Sequence, residues 1–175
     1  MLREYLSFYV TALKNQPFTL HYADAFAGNG KHTPARHANQ QLLIDQEDFA
    51  GSVTAALEVR PGFDVYHFND LSPEHHLELQ RIASKVPEKK VQITELDANA
   101  FIPEFCNGLN KTDRAVLLLD PYSTELNWNS LEYVAQSKQV DLWLLFPLSA
   151  ILRMTPTDGD RIRPSESMYK NWSCG

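Results

Sequence analysis

Apolar residues along the chain recur at two spacings, one helical and one typical of strands. Between residues 2 and 13 they return every three or four positions, which predicts an opening amphipathic helix that ends near Pro17. Residues 18–26 then form an apolar run of strand length that leads into a turn with two glycines. Further runs of this length lie at residues 63–68, 91–96, 115–119 and 142–145.

The segments between these runs carry helix signals. Ser52 is the predicted N-cap of a short second helix, and Ser72-Pro73-Glu74 combines a cap residue, a proline and an acid, as helix starts do. Ser130 is predicted to begin the last helix. Helices that alternate with strands predict right-handed crossovers and an α/β fold, with a mostly parallel sheet covered by helices on both faces.

The last two apolar runs and the polar residues after them predict where the folded core ends. The aliphatic run at 115–119 predicts a strand that is buried on both faces, and the run at 142–145 predicts a fifth buried strand. After residue 154 the chain becomes polar and loses its periodicity. We therefore predict a core at residues 1–154, and a polar tail or the start of a truncated region at 155–175.

Composition narrows the choice of partners. The net charge of −6 argues against a broad basic face, so the charge balance does not support a nucleic-acid substrate, which would need a local groove or a partner. Cys106 and Cys174 form no CxxC pair and lack histidines at zinc-site spacing, which predicts neither a metal site nor a disulfide scaffold. Without a leader-like start or an apolar run of about 20 residues, the expected location is the cytoplasm, with no membrane contact.

Carboxylates follow four of the predicted strands. Asp24, Asp70, Asp97 and Asp120 stand at or just beyond the ends of successive strands, and a glycine pair follows the first of them. Ligands of such sheets bind at the carboxyl ends of the strands, near the point where the strand order switches. This pattern predicts a ligand site at that edge.

Each of these residues suits one part of a nucleoside-containing ligand. Gly28 and Gly30 allow a sharp turn and a close approach of the backbone. Asp24 can accept from an ammonium group, directly or through water. Asp70 is placed to accept two hydroxyl hydrogens of a ribose. Asp97 and its neighbouring amides can read an adenine edge, although its Asp-Ala-Asn context equally fits a helix cap.

A dinucleotide is the competing ligand. Its GxGxxG fingerprint is incomplete, because Thr33 occupies the third glycine position. The acid at Asp70 also lies 40 residues after Gly30, whereas about 20 is usual. An NAD-type oxidoreductase is therefore the weaker interpretation.

The glycine segment also carries a family resemblance. Residues 22–30, with the sequence YADAFAGNG, resemble the DxFAGxG motif of class I methyltransferases. Over about residues 2–153 the chain is similar to the three-Cys-motif partner protein family. Besides the glycine segment, the similarity rests on Gly51-Ser52, the FNDLSPE segment at 68–74, LDPY at 119–122, Trp128, and the stretch from Val140-Asp141 to Phe146-Pro147.

The resemblance implies a Rossmann-like methyltransferase fold that binds S-adenosylmethionine. It implies cofactor contacts at these positions: Asp24, Ala25, Phe26, Gly28, Gly30, Asp70, Leu71, Asp97 and Ala98. A complete methyltransferase sheet has seven strands and only five are predicted here, so we expect a truncated form that lacks the last strands.

The segment Asp120-Pro121-Tyr122 resembles the [DN]PP[YF] motif of amino-methyltransferases, with one proline fewer. The resemblance implies that Asp120 orients a target amine or hydroxyl and that Tyr122 stacks on it; a plain strand-end turn is the alternative.

His75 and His76 are expected on the solvated face of a helix. The expected function is methyl transfer from S-adenosylmethionine to an N or O nucleophile. The alternative is a non-catalytic partner or regulatory protein that keeps the fold.

Overall fold

A computed structural model describes residues 1–30, 51–121 and 125–145. The helices are α1 (Leu2–Leu13), α2 (Ser52–Glu58), α3 (Pro73–Ser84), α4 (Ala98–Gly108) and α5 (Trp128–Ser137). The strands are β1 (Thr19–Asp24), β2 (Val65–Asn69), β3 (Lys90–Thr94), β4 (Asp113–Leu119) and β5 (Val140–Leu144). Each of the five predicted strands is therefore present.

The five strands form one parallel sheet in the order β3-β2-β1-β4-β5. The chain first moves outward from β1 to β3 and then returns to the other side of β1 for β4. The strand order thus switches between β1 and β4, in the middle of the sheet. This topology confirms the predicted Rossmann-like α/β fold of class I methyltransferase type.

Helices cover both faces of the sheet, because successive strand residues point to opposite sides. On β1, Leu20 and Tyr22 belong to one core cluster, and Ala23 belongs to the other. Helices α1, α2 and α3 contribute to the first cluster, and α4 and α5 contribute to the second. β1 and β4 are consequently almost fully buried, which holds the ends of the central strands in fixed positions.

β5 departs from its prediction as a buried strand. Leu142 and Leu144 remain 38% and 37% exposed. Within the described residues β5 pairs with β4 alone and forms one edge of the sheet, so fewer neighbours cover its side chains. The predicted tail at 155–175, and the domain boundary before it, lie outside the described residues.

Candidate functional site

The turn after β1 depends on two glycines for different reasons. Gly28 and Gly30 have φ angles of +59° and +69°, in the left-handed region that other L-residues adopt only at a cost. A Cβ on Gly28 would meet no atom within 4 Å, so its requirement is conformational. A Cβ on Gly30 would collide with Cδ1 of Ile82, the end of a side chain in α3. The buried Gly30 therefore lets the turn pack against α3, a role that sequence reasoning did not foresee.

Asp24 is fully buried at the end of β1. Its Oδ1 accepts from the amide of Phe26 at 3.1 Å, and its Oδ2 accepts from Oγ of Ser52 at 2.6 Å. The pKa of Asp24 is raised to about 7, mainly by burial and partly by the charges of Asp120 and Asp70, while the two hydrogen bonds act to lower it. Both oxygens thus tie the glycine turn to α2. The predicted contact with a ligand ammonium stays a prediction.

Ser52 was predicted to cap α2, and this prediction is wrong. The N-cap is Gly51, and Ser52 is the first residue of the helix. Its hydroxyl donates to the buried carboxylate of Asp24 instead of accepting from the helix amides. Because Asp24 is fully buried, leaving its Oδ2 without a donor would cost about 1–3 kcal/mol, and the hydroxyl of Ser52 supplies that donor.

Asp70 follows β2 and joins three parts of the site. Its Oδ2 accepts from the amide of Gly28 at 2.8 Å. Its Oδ1 accepts from the amide of Ser72, the N-cap of α3, and lies 2.9 Å from Nδ1 of His75. Only 14% of the side chain is exposed. These contacts hold the carboxylate between the glycine turn and the start of α3.

His75 was expected on a solvated helix face, and that expectation is wrong. The side chain is 32% exposed and bonds to the carboxylate of Asp70. It occupies the third position of α3, from which a side chain can reach back over the helix start. The neighbouring His76 instead interacts with Gln80 along the helix.

Asn69 is a site residue that sequence reasoning missed. It is fully buried, and its Nδ2 donates to the carbonyl oxygens of Ala25 and Leu96. Its Oδ1 accepts from Oγ1 of Thr94 and from the amide of Leu96. One amide side chain thereby joins the ends of β1, β2 and β3. The available signal was an amide side chain at the last position of a mostly buried strand.

Asp97 is the N-cap of α4, and its Oδ1 accepts from the amide of Asn99 at 2.8 Å. Asp97 therefore caps α4, as one of its two predicted roles requires, while its contact with an adenine edge stays a prediction. Asn99 in turn donates to the carbonyl of Glu125 and accepts from the amide of Asn127 and Oγ of Ser130. These bonds join the starts of α4 and α5 beside the carboxyl edge of the sheet.

A cleft of about 230 Å³ lies at this edge. It is lined by Ala25, Phe26, Asp70, Leu71, His75, Leu96, Asp97, Ala98, Asn99 and Glu125. Six of the nine residues predicted to bind the cofactor are in this lining. The described part of the cleft is smaller than the roughly 300–1,000 Å³ of most small-molecule sites, so it encloses part of a ligand of that size.

The lining combines an apolar floor with acidic groups. Phe26, Leu71 and Leu96 supply apolar surface, and the carboxylates come from Asp70, Asp97 and Glu125. Against these three acids, the described lining contains one basic side chain, His75. Such a cleft favours neutral or cationic ligands over polyphosphates.

The predicted catalytic pair is only partly described. Asp120 is exposed just beyond β4, and its charge contributes to the raised pKa of Asp24 at the end of the neighbouring strand. Tyr122 lies outside the described residues. Their proposed roles therefore stay predictions.

Fold and site together define a Rossmann-like α/β protein of methyltransferase-like fold, with an acidic cleft at the carboxyl ends of its first three strands. Within the described residues, no group of three or more potential ligands could hold a metal ion. No helix there combines the length and apolar character needed to cross a membrane.

Known structures resemble the chain in fold. Protein LPL1258 from Legionella pneumophila str. Philadelphia 1, of family DUF519, aligns with a TM-score of 0.50 and 12% identity over 78% of this chain and 61% of that one. The protein yhhF from Escherichia coli, a candidate methyltransferase, aligns with a TM-score of 0.44 and 13% identity over 82% and 62% of the two chains. The first likeness concerns the fold alone, and the second is too weak to carry an argument.

This chain spans less than two thirds of the length of either structure. The sequence matched no family model and no curated protein. The comparisons therefore do not show membership of the three-Cys-motif partner family.

Proposed function

We propose that this chain binds S-adenosylmethionine in the cleft and transfers its methyl group to an N or O nucleophile. The observation that carries the proposal is the position of Asp70. Its carboxylate lines the cleft, and the amide of Gly28 fixes one of its oxygens. An acid at this strand end is the group that holds ribose hydroxyls in nucleotide-binding folds of this topology.

The remaining lining residues fit the other parts of this cofactor. Phe26, Leu71, Leu96 and Ala98 provide apolar surface for a flat base, and Asp97 with its neighbouring amides provides polar contacts at its edge. The Gly28 turn and the nearby carboxylates suit the ammonium and sulfonium groups of the cofactor, which carry positive charge. NAD carries a pyrophosphate, which the acidic lining would repel.

The bound cofactor supplies an electrophilic methyl group that needs little further activation. The work left to the protein is to align the nucleophile and to exclude water. We assign the first task to Asp120 and Tyr122, with Asp120 accepting a hydrogen bond from the target amine or hydroxyl.

We also propose membership of the three-Cys-motif partner family and a cytoplasmic location. A partner protein that keeps the fold without turnover is the alternative.

Calorimetric titration with S-adenosylmethionine, S-adenosylhomocysteine and NAD tests the proposal. We expect binding of the first two and none of NAD. Asp70→Ala is expected to weaken binding about 10- to 100-fold, because it removes a charged hydrogen-bond acceptor of the ribose.

The matched control is Glu88→Gln, which removes an exposed carboxylate beside the opposite end of β3. Unchanged affinity in Asp70→Ala would exclude the assigned role of Asp70. If the cofactor binds but the protein gives no methyl turnover with candidate acceptors, the partner-protein alternative is favoured.

A further inference from the structure

The hydrogen bonds of Asp70 limit what its carboxylate can still bind. A carboxylate offers about four lone-pair sites, two on each oxygen. On Oδ1 both sites are used, one by the amide of Ser72 and one by Nδ1 of His75. On Oδ2 one site is used by the amide of Gly28. One acceptor site therefore remains, whereas the sequence led us to expect Asp70 to bind two ribose hydroxyls.

The bond to Asp70 also determines the tautomer of His75. An ionised carboxylate only accepts hydrogen bonds, so the proton of the imidazole must lie on Nδ1. In the neutral ring, Nε2 is then an acceptor. Within the described ranges, no protein group hydrogen-bonds to this nitrogen, and the side chain lines the cleft beside Asp70 and Leu71.

We propose that His75 is a second hydroxyl-binding group of the cleft. One hydroxyl of the ribose donates to Oδ2 of Asp70, and the other donates to Nε2 of His75. This inference rests on the proposed function, because it assumes a ligand with a ribose diol. It gives His75 a role in specificity beyond its place at the start of α3.

Deoxy ligands test the proposal. The affinities of S-adenosylhomocysteine and of its 2′-deoxy and 3′-deoxy analogues are measured by calorimetry. The wild-type protein is expected to bind each analogue about tenfold more weakly than the parent ligand, the effect of one hydrogen bond.

His75→Asn separates the two functions of the imidazole. Its amide nitrogen can replace Nδ1 as the donor to Asp70, but it has no atom at the position of Nε2. We expect this variant to bind one of the two analogues as well as the parent ligand, while the penalty for the other analogue remains. His76→Asn, a change one residue along the same helix at a side chain that does not line the cleft, is expected to keep both penalties.

If His75→Asn keeps both penalties, His75 only supports Asp70 and the start of α3, and the proposal is wrong. If wild-type protein binds none of the three ligands, the proposed function fails and this inference falls with it. The two failures are therefore distinguishable.

A measurement on the wild-type protein guards against a variant that does not fold. The imidazole nitrogen resonances of His75 are followed by NMR during titration. The Nε2 resonance is expected to shift with S-adenosylhomocysteine and to shift much less with one deoxy analogue. Binding without any change at Nε2 would overturn the proposal.

Discussion

The buried carboxyl of Asp24 makes the stability of the fold depend on pH. Burial raises its pKa from 3.8 to about 7, and the nearby charges of Asp120 and Asp70 act in the same direction. The folded protein therefore binds the proton more tightly than the unfolded chain does. Stability from this group is complete below about pH 4 and is lost as the pH rises through 7.

The size of the effect follows from the shift. A displacement of roughly three pKa units corresponds to about 4 kcal/mol, at about 1.4 kcal/mol per unit, for this fully buried side chain. Asp24→Asn removes the titration and keeps an oxygen that can accept from the amide of Phe26. The free energy of unfolding of the variant, relative to wild type, should rise between pH 4 and 7 and stay level above about pH 8.

Urea unfolding at intervals from pH 4 to 9 measures this difference. A changed bond to Ser52 would offset the whole curve, so the slope with pH, not its height, is the test. Ser52→Ala removes a hydrogen bond that lowers the pKa of Asp24, and it should extend the window to higher pH. Glu88→Gln controls for charge removal at an exposed site. A difference between Asp24→Asn and wild type that does not change with pH would refute the reasoning.

Three further predictions concern stability and can be checked by urea or thermal unfolding. Burial lowers the pKa of His67 to about 4, so the free energy of unfolding should fall as the pH drops from 6.5 through 4. His67→Gln removes this titration and should reduce that fall by up to about 3 kcal/mol. Gly28→Ala and Gly30→Ala should each cost about 1–2 kcal/mol in backbone strain, and Gly30→Ala should cost somewhat more because Cδ1 of Ile82, the end of a flexible side chain, has to move; a smaller cost for Gly30→Ala than for Gly28→Ala would contradict the packing argument. Asn69→Ala leaves buried donors and acceptors at three strand ends unpaired and should cost about 2–4 kcal/mol, while a cost below 1 kcal/mol would show that water or rearrangement replaces them.

Local sequence patterns were sufficient to predict the elements and the sheet. Apolar runs of strand length, separated by helix signals such as Ser72-Pro73-Glu74, predicted five parallel strands, and the structure has all five. The parallel arrangement also brings the strand ends to one edge, which is why six predicted binding residues line one cleft. β5 was predicted less well, because its aliphatic residues do not reveal that the strand forms an edge of the described sheet.

Within the site, the residue types at the strand ends were predictable, because those positions follow from the strand periodicity. Their hydrogen-bond partners were not predictable, because they depend on how the strands and helices pack. The bonds of Asp24 to Ser52, of Asp70 to Gly28 and of Asn69 to Ala25 join residues 28, 42 and 44 positions apart. The register of neighbouring strands and the packing of the helices set these contacts, and no local pattern encodes them. His75 shows the same division, since its helix position was predictable but its bond to Asp70 depends on how the chain enters α3 after β2.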